Sequence, residues 1–415
     1  MAGLGRGTAL ALGLACSDGT AGVTADVGVV VDSGPIPDVP VPLSPCEPRF
    51  ERDGRRVRVS GNAAYLKRLR DEGDNVAVWT PIRGARLTLA AGLDPLAFTV
   101  TTDEGCWVLE ADTDEPDSEL ALILDADGPA GESGGALPFA VEVAPDDTAP
   151  PWSLRFPATE GRLGVDELYA AGAFNVLEQV HRAAARLEGR APTRTPPPGL
   201  RVLWGPAQRP VCGSCFYVAR FVLELTGEEG DVDAHDDAVV LHELGHYIEA
   251  IYGVYSNPGG FHDLEPAAPT MAWSEGFATW FQAIVRNDAR YVDAQPARVY
   301  VLDLETPPEE TRGTVPEGDA SGLVSEAVIY ALLWDGVDAP AIDDDTASWP
   351  VGEALDAALS PHGAGGNPRG GEDIGPVGAD LNDWLRVFAC PRAAGDIEAA
   401  ALALGFPWSL DACPR

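Results

Sequence analysis

The sequence predicts a multidomain chain, with a small all-β sandwich over residues 46–150 followed by an α+β, mostly helical body over 151–415. Three observations carry this. Residues 46–150 are built of short alternating or apolar runs separated by turn residues. Beyond residue 163 several stretches repeat apolar residues at helical spacing. Between the two lies a Pro- and Asp-rich stretch, 145–160, with the composition of a linker.

At the start, Ala9 to Ala15 is apolar and too short to span a bilayer, with Arg6 as a positive lead. Ala15 before Cys16 resembles a bacterial lipobox. That resemblance implies that residues 1–15 are a signal peptide and that Cys16 carries a lipid anchor to the cell envelope, on the outer membrane. Without the anchor the chain would be secreted. Residues 16–45 are rich in Asp, Gly, Val and Pro and contain no aromatics, which reads as a disordered acidic tether.

The sandwich is read from six runs, among them Val57–Gly61, Val76–Trp79, Ala85–Leu89 and Leu120–Leu124. Pro81–Ala85 and Thr101–Trp107 resemble turns of prealbumin-like or carboxypeptidase-regulatory-like sandwiches. No catalytic constellation stands out here, so this part reads as a spacer or docking module, with sugar or protein binding as the sharper alternative.

Leu163–Glu188 is expected to be a long helix, with Val165, Leu168, Ala171, Phe174, Leu177 and Val180 on one stripe. His181 lies beside that stripe and reads as packing rather than a ligand. Leu200–Trp204 and Ala219–Leu225 read as strands. Between them stands Cys212-Gly213-Ser214-Cys215, which fits a local disulfide, a redox pair or half of a metal site. Six cysteines follow Cys16, an even number suited to an oxidising compartment. Cys390 and Cys413 bracket a C-terminal segment and could close it, which beside a local 212–215 bridge would leave Cys46 with Cys106; the sequence alone does not fix the pairing.

Residues 231–237 (Asp-Val-Asp-Ala-His-Asp-Asp) are dense in carboxylates. They suit helix capping, or calcium without the spacing of an EF-hand. Then comes His242-Glu243-Leu244-Gly245-His246 in a helical pattern, with Asp236 or Asp237 placed to cap it. Residues four apart share a helix face, so His242 and His246 present two imidazoles to one point, as zinc requires. Glu243 lies next to that point and can serve as a general base. A second helical stretch, Met271–Phe281, holds Trp273-Ser274-Glu275-Gly276-Phe277-Ala278, with Thr270 as its expected cap. Glu275 offers a third, hard oxygen ligand.

The two stretches together resemble the gluzincin metallopeptidases. The resemblance covers roughly residues 165–335. It implies a zincin-type metallopeptidase domain, Zn2+ as cofactor, His242, His246 and Glu275 as metal ligands, and Glu243 as the base. The separation of His246 from Glu275 is longer than in the best-known gluzincins, which reads as an inserted loop, Tyr255–Pro269. The metzincin pattern fails, because Glu249 and Tyr252 stand where its Gly and third His would be. The exopeptidase motif of the aminopeptidase branch is also missing.

In the glycine-containing loop after the first motif, His262 could stabilise an oxyanion or compete with Glu275 as a ligand. Leu323–Asp335 reads as a buried helix in which Tyr330 is a candidate electrophilic donor or a plain core tyrosine, with Glu326 one turn earlier on the same face. Asp380–Phe388 and Asp396–Leu404 read as closing helices.

With 65 acidic and 28 basic residues the net charge is −37, which excludes nucleic acid as a partner. The expectation is therefore a zinc-dependent peptidase acting on a peptide or protein substrate. A surface-anchored binding or adhesion lipoprotein with an inactive metallo-domain is the alternative.

Overall fold

The alternation in 46–150 becomes a sandwich because four of the six runs bury alternate side chains. Val57 and Val59, Leu87 and Leu89, Trp107 and Leu109, and Leu122 and Leu124 are all buried. In the computed structural model, which describes residues 46–71, 74–130, 137–260, 262, 266–296, 298–307, 323–338, 347–360 and 378–413, the strands are β1 (Arg49–Asp53), β2 (Arg56–Asp71), β3 (Asp74–Pro81), β4 (Arg86–Ala91), β5 (Asp94–Val100), β6 (Cys106–Asp112), β7 (Leu120–Asp125), β8 (Asp127–Gly128), β9 (Val141–Ala144), β10 (Ser153–Pro157) and β11 (Arg162–Val165). The expected signal peptide, Cys16 and the tether lie outside the described residues.

The long β2 organises one sheet: β1, β3 and β6 pair with it antiparallel and β11 parallel. The facing sheet runs β10-β7-β4-β5. A disulfide between Cys46 and Cys106 ties the chain ahead of β1 to β6.

The rest of the chain follows as α1 (Leu168–Arg186), β12 (Leu200–Leu203), β13 (Cys215–Tyr217), β14 (Val222–Glu224), β15 (Gly227–Glu228), β16 (Asp231–Val232), α2 (Asp237–Tyr252), α3 (Pro269–Arg286), β17 (Arg290–Gln295), β18 (Arg298–Asp303), α4 (Glu326–Asp335), α5 (Val351–Ala358), α6 (Leu381–Phe388) and α7 (Gly395–Ala403). This corrects the expected fold class. The chain after the β-rich region is mixed α/β rather than an α+β, mostly helical zincin domain. Beyond residue 150 the described residues form nine strands, β10–β18, alongside seven α-helices. The sheets also interleave. β9 pairs parallel with β12 in a sheet ordered β13-β14-β12-β9-β8, while β10 and β11 complete the sandwich. The physical reason is strand length. Two- to five-residue strands bury too few alternating positions to show a period, and Pro145–Glu160 hid β10 under a linker-like composition.

Helix ends differ from expectation in the same instructive way. α1 begins at Leu168, capped by the Glu167 carboxylate accepting from Ala170 N at 2.7 Å, because residues 162–165 are taken by β11. Neither Asp236 nor Asp237 caps α2 through its side chain. Asp236 instead accepts from the backbone N–H of Ala294 on β17 at 2.8 Å. Asp237 accepts from Lys67 Nζ on β2 at 2.5 Å and from Asn175 on α1 at 3.0 Å. Thr270 is inside α3, which starts with Pro269 at its first position. The remaining disulfides join Cys212 to Cys215 and Cys390 to Cys413. No helix of the described residues is long and apolar enough to cross a membrane.

Candidate metal centre

α2 and α3 pack against each other where both lack bulk. A Cβ on Gly245 would lie 2.9 Å from Ala278 Cα, so the glycine of the first motif lets the second helix approach. Gly276 does the same for α4, since a Cβ there would lie 2.6 Å from Ile329 Cβ. The three helices thereby bring three motif residues together. One ligand atom each from His242, His246 and Glu275 lies within 4.8 Å of the others, and all three residues are buried.

The aim of those atoms is set by their neighbours. Glu275 Oε2 is 3.1 Å from His246 Nε2 and 3.3 Å from His242 Nε2. His242 Nε2 nevertheless has no well-formed hydrogen bond among the described residues. The other ring nitrogens are occupied. His242 Nδ1 is 3.1 Å from Thr279 Oγ1 and His246 Nδ1 is 3.2 Å from Ser274 Oγ. With Glu249 ionised, Ser274 Oγ donates its one proton to it at 2.5 Å and so can only accept from His246 Nδ1–H. This fixes the tautomer that leaves the Nε2 lone pair free for a metal. Asn257 Nδ2 donates to Glu275 Oε1 at 2.7 Å, leaving Oε2 to the centre.

His262 joins from the loop after α2. Its Nε2 is 3.5 Å from Glu275 Oε2, and its Nδ1 is 3.2 Å from Glu326 Oε2 on α4. His262, Glu275 and Glu326 form a second group of convergent donors, which shares Glu275 with the first. The electrostatics match this crowding. Burial lowers His242 to about 4, which keeps it in the neutral form that binds metals. Burial would raise Glu275, but the charges of His262 and His246 hold it well below the ordinary range. Burial pushes Glu249 up to about 8.

The other expected residues fall as follows. Glu243 is buried on α2, close enough for its charge to act on His262 and on Tyr291. Tyr330 is fully buried on α4, and its hydroxyl has no hydrogen-bond partner among the described residues. The charges that reach it come from Glu326, Tyr300 and Asp303, and not from the His-His-Glu set. His181 is buried on α1 against Gly84, away from either group. His235 Nε2 pairs with the Leu168 carbonyl at 2.9 Å.

Sequence reasoning had no role for Thr279, Asn257 or Glu249, nor for Tyr291, whose ring meets His242 edge-on at 5.8 Å. Only Thr279 had a readable signal, one helical turn after Glu275.

The family model of the mycolysin C-terminal domain matches residues 199–353. That span contains both motifs and every donor of the two groups. The similarity points to a peptidase family. No curated protein matches the chain.

Proposed function

We propose that the protein is a zinc-dependent peptidase. The observation that carries this is the convergence of His242, His246 and Glu275 within 4.8 Å beside a buried Glu243. The donor set fits zinc. Tetrahedral ligands at about 2.0–2.2 Å from an ion stand roughly 3.3–3.5 Å apart, close to the 3.1 and 3.3 Å of the two His–Glu275 separations. His242 Nε2, buried and without a well-formed hydrogen bond among the described residues, is the kind of atom a metal accounts for.

When bound, zinc supplies Lewis acidity and lowers the pKa of water toward neutrality. Glu243 removes a proton from the attacking water as its oxygen bonds to the peptide carbonyl carbon. It then delivers that proton to the departing amide nitrogen as the C–N bond breaks. Glu326 holds His262 through Nδ1, so His262 Nε2 can donate to the oxyanion that develops. Ser274, Thr279 and Asn257 hold the ligands in register. Anchorage in a cell envelope through Cys16 belongs to the same proposal and rests on residues 1–16 alone.

The test is metal content and casein hydrolysis of the purified protein beside Glu243→Gln. One zinc per chain in both is expected, with hydrolysis reduced by about 10²–10⁴-fold in the variant. Metal-free protein, or undiminished hydrolysis in Glu243→Gln, would overturn the reading.

A further inference from the structure

A second cluster lies ahead of the metal helix and plays no part in that chemistry. Asp231 ends the β15–β16 turn, Asp233 opens the short 3-10 turn 233–235 leading into α2, and Asp293 sits in the middle of β17. One oxygen from each lies within 4.8 Å of the others. Three carboxylates at that spacing repel one another, so something must account for them.

Asp233 is the informative member. It is 5% exposed. Ser214 Oγ donates to its Oδ2. The same Ser214 oxygen accepts from Thr226 N at 3.0 Å, so its single proton is committed to Asp233. Asp233 Oδ1 is buried and has no hydrogen-bond partner among the described residues. A buried carboxylate oxygen without a donor is costly unless a cation meets it. The Cys212–Cys215 loop gains a purpose here, because it presents Ser214 to Asp233.

We propose that Asp231, Asp233 and Asp293 form a calcium site that ties β17 to the segment entering α2. The donors are all carboxylate oxygens, with no nitrogen or sulfur in the group, which favours a hard cation over zinc or copper. Calcium–oxygen distances of about 2.3–2.6 Å allow ligand oxygens up to roughly 4.8 Å apart across the ion. Three carboxylates supply up to six oxygens, and the half-buried Asp231 and Asp293 leave room for water to complete the shell. The cross-link would reinforce the Asp236–Ala294 hydrogen bond beside it.

The experiment uses the full zinc-loaded protein. Terbium is added and excited through aromatic side chains, since Tyr291 lies close enough to Asp293 and Asp233 to feel their charge. Calcium then competes, and thermal midpoints are read with and without it. The inference expects terbium emission that calcium displaces at a lower concentration than magnesium does. It also expects a midpoint that rises with calcium, and at least about tenfold weaker calcium binding in Asp293→Asn. Asp231→Asn, at the other half-buried position, gives the same reading if Asp293→Asn does not fold. Absence of terbium emission and of a calcium-dependent midpoint in the parent would overturn the proposal. So would unchanged calcium affinity in a folded variant, or displacement by magnesium as readily as by calcium.

Discussion

The two donor clusters flank the same helix and differ in almost every respect. The His242–His246–Glu275 group mixes nitrogen and oxygen, and partners on α3 and on the loop between α2 and α3 orient each donor. The Asp231–Asp233–Asp293 group is oxygen alone, and the single orienting contact found for Asp233's side chain is Ser214. A centre that turns over substrate needs ligands held at fixed angles, and that takes a surrounding shell of hydrogen bonds. A centre that only fastens two segments needs charge and flexible coordination. The contrast suits the first to the chemistry proposed above and the second to the proposed cross-link.

Removing all metal with a chelator should break both roles at once, and adding metals back should separate them. Zinc alone should restore hydrolysis, measured on casein. Calcium alone should restore the thermal midpoint and leave hydrolysis at background. Restoration of hydrolysis by calcium alone would reverse the assignment. A smaller effect is expected from His262→Gln, which removes the donor aimed at the oxyanion. A loss of about 10²-fold in kcat, with zinc content unchanged, should follow. Loss of zinc instead would make His262 a ligand.

Ser274→Ala frees the His246 ring and breaks the Glu249 contact. Zinc affinity should fall about 10- to 100-fold while calcium affinity stays put. Competition with a chromogenic chelator reads the first and terbium displacement the second.

The last expected effect involves a histidine that belongs to neither cluster. Burial, with the Arg83 charge adding, holds His181 at about 4 against 6.5 in the unfolded chain. A base whose folded pKa is depressed contributes its full stability above pH 6.5 and loses it as pH falls toward 4. At most ~3 kcal/mol is lost across that window. Urea unfolding at stepped pH should show this slope with or without bound metal, and it should be shallower in His181→Gln.

How much of this was legible follows from how far apart the cooperating residues stand. His242, Glu243 and His246 fall within five residues of one helix, so helical periodicity alone puts the two imidazoles on one face. Glu275 is on another helix, and its motif announced it. Asp231 and Asp293 are brought together only by the placement of β17, a hairpin strand with no motif to mark it. The acidic run before α2 suggested capping, but Asp236 and Asp237 spend their carboxylates on Ala294 and Lys67, in elements distant in sequence. Short strands explain the failure of the fold class. β12 and β14 fall within expected strands, but β13 has three residues and β15 and β16 two each, so the identity of these comes from their neighbours rather than from their own pattern.

The pairing of β9 with β12, and of β11 with β2, has a consequence for ancestry and for engineering. A module that can be shuffled between genes carries its own edges with it. Here a cut at residue 150 would take β10 from one sheet of the sandwich and β11 from the other, and would strand β8 and β9 away from β12. It would also leave the Asp237 carboxylate at the head of α2 without Lys67, the only lysine of the chain. A fragment trimmed to the two motifs would therefore inherit raw sheet edges in place of paired strands.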